Sequence, residues 1–579
     1  MQGEKFVGAL PGTPWWSDDG RWIHFRWNPE FADTDSLYRV APAGGAPEKV
    51  PLTEQVTART TTGIYSRDFS HKLYTSSGDL YALDVASGDV VQITNTLEVE
   101  SDASYTGDER GVVYRRGNDL YLWDAESGSV EQLTDFRSGR EPNTDKEPAA
   151  DNERWIKSQE RRLFTTLEER LAREERREET DDPLALQRPL TIYTQIKHLT
   201  SVALSPDTRF VTFILEERTG DGRGTVVPSY VTEEGFTEDL PSRTNVGAPE
   251  SSYEFNIYDR ERDTVYTVSI AALPGIFDRP AFLKDYSTAE TDTTSDSMPR
   301  AVYYSGPFWS PDGAHAALVI KALDFKDRWI VRLDCATGAL TTLDRQHDDA
   351  WIGGLGIHRW MGAAGSAGWL ADNRSFWFQS EASGYSHLYV VDVTSGEKRA
   401  LTSGKFEVDG VVMNRDRSTF YFISNERHPG DWQLYRLAAT GGLRERLTDQ
   451  PGSYLFALSP DESQIALKHS TANRPWELFV MDNKPGAEMR RLTYSTTEGF
   501  DAYPWREPEI VTFTARDDAT VYARLYRPDT TGAGGPAVVF VHGAGYLQNA
   551  HMWRSQYYRE FMFHNILADN GYTVLDIDY

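Results

Sequence analysis

A single cysteine, Cys335, stands in a chain of 579 residues. It has no partner for an internal disulfide, so nothing here implies an oxidising compartment, and a buried bystander is its expected role. Long apolar runs are missing too: none approaches the roughly 20 residues that cross a bilayer, so no membrane span is expected. Positive charge is scarce. The 60 Lys and Arg face 88 Asp and Glu, a formal charge of −28, and such a surface repels polyphosphate, which disfavours nucleic acid and anionic membranes as partners. The basic residues are mostly Arg, a balance also seen in salt-adapted proteins. Met1-Gln2-Gly3-Glu4-Lys5 has no basic-then-apolar leader. The sequence as given therefore reads as cytoplasmic, or as periplasmic or secreted if a leader has been lost. There is no paired Cys, no His-Glu-x-x-His, no phosphate loop and no calcium-loop spacing, so neither a metal nor a cofactor is expected.

What the chain does have is size, aromatic side chains and repetition. Hydrophobic residues make up 39% and aromatics 12%, which suits a β-rich protein. A chain of this length exceeds one core and must hold several domains or a large repeat. The repeat is a turn, a strand, a second strand ending in Leu-Tyr-x-x-Asp, a tight Gly turn and a strand ending in Leu-Thr. Clear copies run from Tyr65 through Leu80-Tyr81 to Ile93-Thr94, from Thr106 through Leu120-Tyr121 to Leu133-Thr134, and from Ala371 through Leu388-Tyr389 to Leu401-Thr402. Others begin at Trp16-Ser17, Ser205-Pro206-Asp207, Trp309-Ser310-Pro311-Asp312-Gly313, Asn414 and Ser459-Pro460-Asp461. Ser-Pro-Asp-Gly forms turns because Pro presets φ, Asp caps nearby backbone and Gly accepts positive φ. Apolar runs such as Ala316–Ile320 fit strands buried on both faces. Four short strands every 40–60 residues predict a mainly β fold, a β-propeller of approximately eight blades over residues 1–500. A charged, helix-favouring stretch at about 140–190 reads as an insertion.

Residues 501–579 change character. Strands are expected at Ile510–Phe513 and Val521–Tyr526. Pro536–Val541 is an apolar strand entering the Gly-rich turn His542-Gly543-Ala544-Gly545; a helix is expected at 553–569 and a last strand at Gly571–Tyr579. Strand, helix and strand in this order predict a right-handed parallel crossover. An apolar strand ending in His-Gly-x-Gly is similar to the oxyanion loop of α/β-hydrolases, where a backbone N–H faces the charge developing on the attacked carbonyl. Glycine suits that place because it lets substrate approach the backbone.

The combination resembles the prolyl oligopeptidase family of serine peptidases, in particular its dipeptidyl peptidase IV-like branch. The resemblance rests on the Trp-Ser-Pro-Asp-Gly turns, on Ser380–Tyr389, on Ser424-Asn425-Glu426-Arg427-His428-Pro429-Gly430 and on Val541–Gln548. It implies an exopeptidase or oligopeptidase acting on short peptides, with an oxyanion loop at His542, Gly543 and Ala544, the donor being Gly543 or Ala544 and His542 shaping the turn. A homodimer is a candidate assembly. It also implies a Glu-Glu pair on a propeller insertion that holds the substrate ammonium; Glu168, Glu169, Glu174, Glu175 and the following Glu178-Glu179 are the candidates. Two carboxylates suit an ammonium because they match its charge and accept its three donors.

The departure from the family lies in the nucleophile. Members carry Gly-x-Ser-x-Gly after the last strand read here, followed by Asp and His. No Gly-x-Ser-x-Gly occurs in the 579 residues, so the α/β-hydrolase segment is expected to be incomplete, truncated before the nucleophile elbow, with no catalytic triad and no activity of its own. Ala364-Gly365-Ser366-Ala367-Gly368 is read as a propeller loop. His551 and His564 are expected to be surface or packing residues, and Asp576 and Asp578 loop-capping carboxylates. The alternative is a non-catalytic propeller that binds peptides or a protein partner.

Overall fold

Each copy of the repeat folds as one four-stranded antiparallel sheet, and the hydroxyls that punctuate the repeat explain how. The computed structural model describes residues 4–55, 63–141, 155, 170, 173, 188–219, 223–244, 248–279, 298–357, 364–529, 534–543, 547–555 and 557–578. Among these, eight four-stranded sheets follow one another along the chain up to Arg491. Every turn picked out by the repeat joins the first and second strands of its sheet.

In six of the turns a Ser or Thr does two jobs. Ser310 Oγ donates to Asp312 at 2.6 Å and accepts from the His315 N–H at 2.9 Å. Ser17, Ser66, Thr106, Ser205 and Ser459 repeat the pattern. At the other end of the repeat, the Thr of Leu-Thr caps the third strand. Thr94, Thr134, Thr402, Thr448 and Thr493 accept from the N–H groups of Leu80, Leu120, Leu388, Leu434 and Leu478 at 2.8–3.0 Å. Local side-chain bonds thus satisfy backbone donors that the ladders leave over.

Packing follows the period of two along each strand. Phe376 and Phe378 of the sixth sheet join a core with Ala317, Val319 and Ile330 of the fifth. Trp377, between them, faces the seventh sheet and packs with Phe420, Phe422 and Tyr435. Both faces of these strands are buried, which is why Ala316–Ala322 is buried at every residue. The series continues from the seventh sheet to the eighth, and from the eighth to the first, where Ile23, Phe25 and Val40 meet Ala466, Leu478 and Val480. Trp16 Nε1 donates to Ala457 O at 2.9 Å across that last junction.

The chain divides into two compact units: residues 1–95, 270–334 and 339–579 in one, residues 96–269 and 335–338 in the other. The second unit holds the third and fourth sheets, packed through Val113, Leu120, Val211 and Phe213. A parallel pair, Asp135–Arg137 with Thr191–Tyr193, lies between these sheets in sequence, and a hairpin, Gly224–Ser229 with Glu238–Thr244, is inserted into the fourth. The two pairs account for part of the long intervals in the repeat. Cys335 is buried. Among the described residues no helix is long and apolar enough to cross a membrane.

The C-terminal sheet has the order Glu509–Thr514, Thr520–Tyr526, Thr573–Ile577, Ala537–Val541. Its last two strands are parallel and joined through the helix Tyr558–Asp569, the strand, helix and strand order read from the sequence. The helix begins later than the 553–569 pattern suggests. Trp553 and Arg554 are bonded elsewhere: Arg524 takes the Trp553 carbonyl and the Arg554 N–H donates to Ser470 Oγ. The N-terminal residues Phe6 and Val7 pack into this segment beside Phe500, Tyr526, Phe561 and Val574.

Candidate active site: the turn after Val541

Strand register fixes the neighbours of the turn. Val541 pairs with Ile577 in the parallel ladder, so His542 and Asp578 leave their strands side by side, at the carboxyl end where α/β sheets build sites. His542 is buried. Its Nε2 lies 3.3 Å from Asp578 Oδ1, and its Nδ1 lies 3.2 Å from the Gly543 carbonyl. Both neighbours are acceptors, and a neutral ring can donate to only one of them.

Asp578 also grips the far side of the loop. Its carboxylate accepts from the Asn549 N–H at 2.7 Å and from the Ala550 N–H at 3.2 Å. One carboxylate therefore brackets residues 543–548 from both ends. Gly543 itself is exposed, and a Cβ built on it would meet no atom within 4 Å. Among the described residues, packing does not require glycine there. Ala544 lies outside the described residues, as do Glu168, Glu169, Glu174 and Glu175 and the pair Glu178-Glu179.

Behind the bracket is a buried polar layer. Asp576 shares the Asp578 face by the period of two, and accepts from Asn549 Nδ2 at 2.9 Å. Burial pushes its carboxyl up to about 6 against the pull of Asn549 and Arg524. Arg524, directly opposite Asp576 in the ladder, donates to the carbonyls of His551 and Trp553, each at 2.9 Å. His551 stacks on Trp553 with ring centroids 3.7 Å apart, and burial beside Arg524 pushes its imidazole well below the usual range. His564, 3.9 Å from Asp576, is pushed down to about 4 by burial.

The seventh sheet supports the same loop. The Met552 N–H donates to the Gly430 carbonyl at 2.8 Å and Gln548 Nε2 to the Pro429 carbonyl at 3.1 Å. A Cβ on Gly430 would lie 2.4 Å from Ala550 O, so only glycine fits this approach. Sequence reasoning found Gly430 as part of a motif and Asp576 and Asp578 as caps. It missed Arg524 and Asn549; the one available signal was an Arg inside an otherwise apolar strand. Among the described residues no group of three or more His, Cys, Asp or Glu side chains could hold a metal.

With this geometry in hand, comparison with known proteins is informative. Residues 247–476 match the family described as the dipeptidyl peptidase IV N-terminal region. A dipeptidyl peptidase 4 of Arthroderma otae is 27% identical over 145 residues, 24% of this chain and 18% of that protein. The uncharacterized peptidase YuxL of Bacillus subtilis is 25% identical over 172 residues, 29% of this chain and 24% of the relative. Across such curated relatives the matched segments span 16–28% of the relative's own length. The crystal structure of Porphyromonas gingivalis dipeptidyl peptidase 4 superposes with a TM-score of 0.59 at 15% identity, covering 100% of this chain and 73% of that one, which is a likeness of fold. Residues 247–476 thus match the dipeptidyl peptidase IV N-terminal region, and the chain shares the mainly β propeller fold of the Porphyromonas gingivalis enzyme.

Proposed function

We propose that this chain is the propeller and oxyanion-loop portion of a serine exopeptidase or oligopeptidase that acts on short peptides, with an aminopeptidase of the dipeptidyl type favoured. In this reading the eight sheets of residues 1–500 are the blades, residues 501–579 begin the hydrolase domain, and the nucleophile, acid and base are not among the 579 residues. One observation carries it: an exposed glycine at the carboxyl end of a parallel strand, in a turn bracketed on both sides by Asp578.

The chemistry follows from that bracket. A tetrahedral intermediate puts negative charge on the former carbonyl oxygen, and a backbone N–H held still before reaction stabilises it without reorganisation, an effect worth about 3–4 kcal/mol per donor. The Gly543 or Ala544 N–H is assigned that role, and His542 and Asp578 hold the turn. Glu168, Glu169, Glu174 and Glu175 remain the candidates for binding the substrate ammonium.

The test uses the 579-residue chain with Ala-Pro dipeptide and its N-acetyl form, and with Gly-Pro-p-nitroanilide. The free dipeptide is expected to bind at least about tenfold more tightly than the acetylated one, since a charged hydrogen-bonded contact is worth about 1.5–3 kcal/mol. No p-nitroaniline is expected. A side chain within residues 1–579 labelled by a fluorophosphonate would sink the assignment, and equal binding of both dipeptides would remove the aminopeptidase reading.

A further inference from the structure

The first sheet turns two unlike faces to its neighbours. Its ladders pair Trp15 with His24 and His24 with Arg39, so these three side chains share one face, and the period of two adds Trp22. The opposite face carries Ile23, Phe25 and Val40, which pack on the eighth sheet. The fifth and sixth sheets meet through Ala317, Val319, Phe376 and Phe378, whereas the Trp15 face of the first sheet offers indole, imidazole and guanidinium.

A cavity of about 430 Å³ lies on that face. Its wall includes Trp15, Trp22, His24 and Arg39, and opposite them Leu83 of the second sheet's third strand and Ala86 of the turn that follows. The charges around it are already matched. Arg39 donates to Glu48 and Glu54, both at 2.6 Å. Asp19 is paired with Arg21 and accepts from Ser17 Oγ at 2.6 Å, and Asp18 accepts from Lys72 Nζ at 2.8 Å. Burial, and then the nearby Arg39, pushes the His24 imidazole down to about 4, so it is neutral at pH 7. The two indoles are braced by the protein: Trp15 stacks on His24 with ring centroids 5.9 Å apart, and the Arg39 guanidinium lies 4.3 Å from the Trp22 ring centre. Both remain only half-buried.

Such a wall suits an uncharged ligand with apolar C–H faces and many hydroxyls. An ion meets no unmatched counter-charge there. A hydroxyl, by contrast, can donate to a carboxylate that is already paired, because each carboxylate offers about four lone-pair positions. The Asp19 and Glu54 side chains are 30% and 50% exposed, which leaves them within reach. Rigid aromatic surface with a few placed polar groups is the usual make-up of a small-molecule site, and the volume is in the usual range.

We propose that this cavity binds a neutral carbohydrate, with a pyranose ring laid on Trp15 and Trp22 and its hydroxyls bonded to Asp19 and Glu54. The site shares no residue with the turn at His542, and its test reads binding rather than turnover, so it stands or falls apart from the proposed peptidase role.

The experiment is saturation-transfer NMR on the 579-residue chain at pH 7 with cellobiose, maltose and N,N′-diacetylchitobiose, each compared with sorbitol, which has the hydroxyls but no rigid ring. At least one disaccharide is expected to take saturation, most strongly at its axial C–H protons, and sorbitol none. Trp22→Ala should weaken that binding about three- to tenfold, the worth of one aromatic contact. Ala86→Trp, at an exposed turn position across the cavity, should abolish it by filling the space, and it leaves the first sheet untouched, so the test holds even if Trp22→Ala does not fold. Saturation of none of the three disaccharides overturns the proposal, as does sugar binding that Ala86→Trp leaves unchanged. A signal from choline in place of the sugars would make the aromatic wall a cation site and overturn it as well.

Discussion

The repeated hydroxyls of the propeller sheets and the buried polar groups behind the turn of the C-terminal α/β segment find their partners at different distances along the chain. Single propeller residues such as Arg328 also reach far, to the carbonyls of Ala364 and Gln379. In the sheets, a hydroxyl bonds a carboxylate two residues on and an N–H five residues on, or a Thr caps the Leu 14 or 15 residues before it. In the segment, Arg524 bonds residues 27 and 29 positions away, and Asp578 bonds residues 36, 29 and 28 positions away. Local satisfaction makes each sheet a repeating unit that tolerates variation next door. Long-range satisfaction makes the segment cooperative, and holds the turn after Val541 by groups that must all be in place at once.

Removing Arg524 should break this contrast most visibly. Arg524→Ala leaves two buried carbonyls without donors and a space where a fully buried side chain stood. A loss of about 3–5 kcal/mol is expected, confined to residues 509–577. Hydrogen exchange checks it: amides of the C-terminal sheet and its helix should lose protection while those of the fifth to eighth sheets keep theirs. Equal loss in both regions would mean that the two are not energetically separate.

Acidity sharpens the comparison at the next scale. In the folded segment Asp576, raised to about 6 by burial, holds its proton over a window where the unfolded carboxyl has lost it. The folded state then binds more protons, so this group makes stability fall as pH rises from about 4 to 6. His564, lowered to about 4, and His551, also held well below the usual range, are neutral when folded and protonated when unfolded over this window; they make stability rise with pH up to about 6.5. Asp576 offsets part of that rise. Asp576→Asn should therefore steepen the gain in stability between pH 4.5 and 6.5, by at most about 3 kcal/mol. Exchange rates of the Tyr558–Asp569 amides at both pH values, corrected for intrinsic chemistry, measure it. An unchanged slope would show that Asp576 does not carry the buried proton.

The same contrast decides what could be read from the sequence. The repeat was legible because every sheet carries at least one local mark, a Ser- or Thr-x-Asp turn in six of them and a capping Thr in five. The crossover in the C-terminal segment was legible too, since apolar strand, helix and strand follow one another. The turn at His542-Gly543 was recognisable as a motif, but the bracket that holds it depends on Val541 pairing with Ile577, and register is not written in either strand alone. Arg524 and Arg554 were invisible for a related reason: an arginine is ordinarily a surface residue, and only the fold decides which one is enclosed. The packing of the first sheet on the eighth joins residues more than 400 apart in sequence, and no local pattern announces it.

Thr134 tests whether the punctuation stabilises the sheet or merely accompanies it. Its hydroxyl accepts from the Leu120 N–H at 2.9 Å and donates to Asp119 at 3.0 Å, and the residue is fully buried. Thr134→Val keeps the shape and removes both bonds. Asp119 still accepts from the Phe136 N–H at 2.8 Å, so the main loss is one unpaired backbone donor, and about 1–2 kcal/mol is expected from the denaturation midpoint. If the sheets are separate modules, Thr94→Val should cost about the same. Thr402→Val and Thr493→Val should cost more, because their hydroxyls also meet His387 and Glu477. A cost near zero at Thr134 would mean that the Leu120 N–H finds another acceptor, and the Leu-Thr ending would then be a mark of strand geometry rather than its cause.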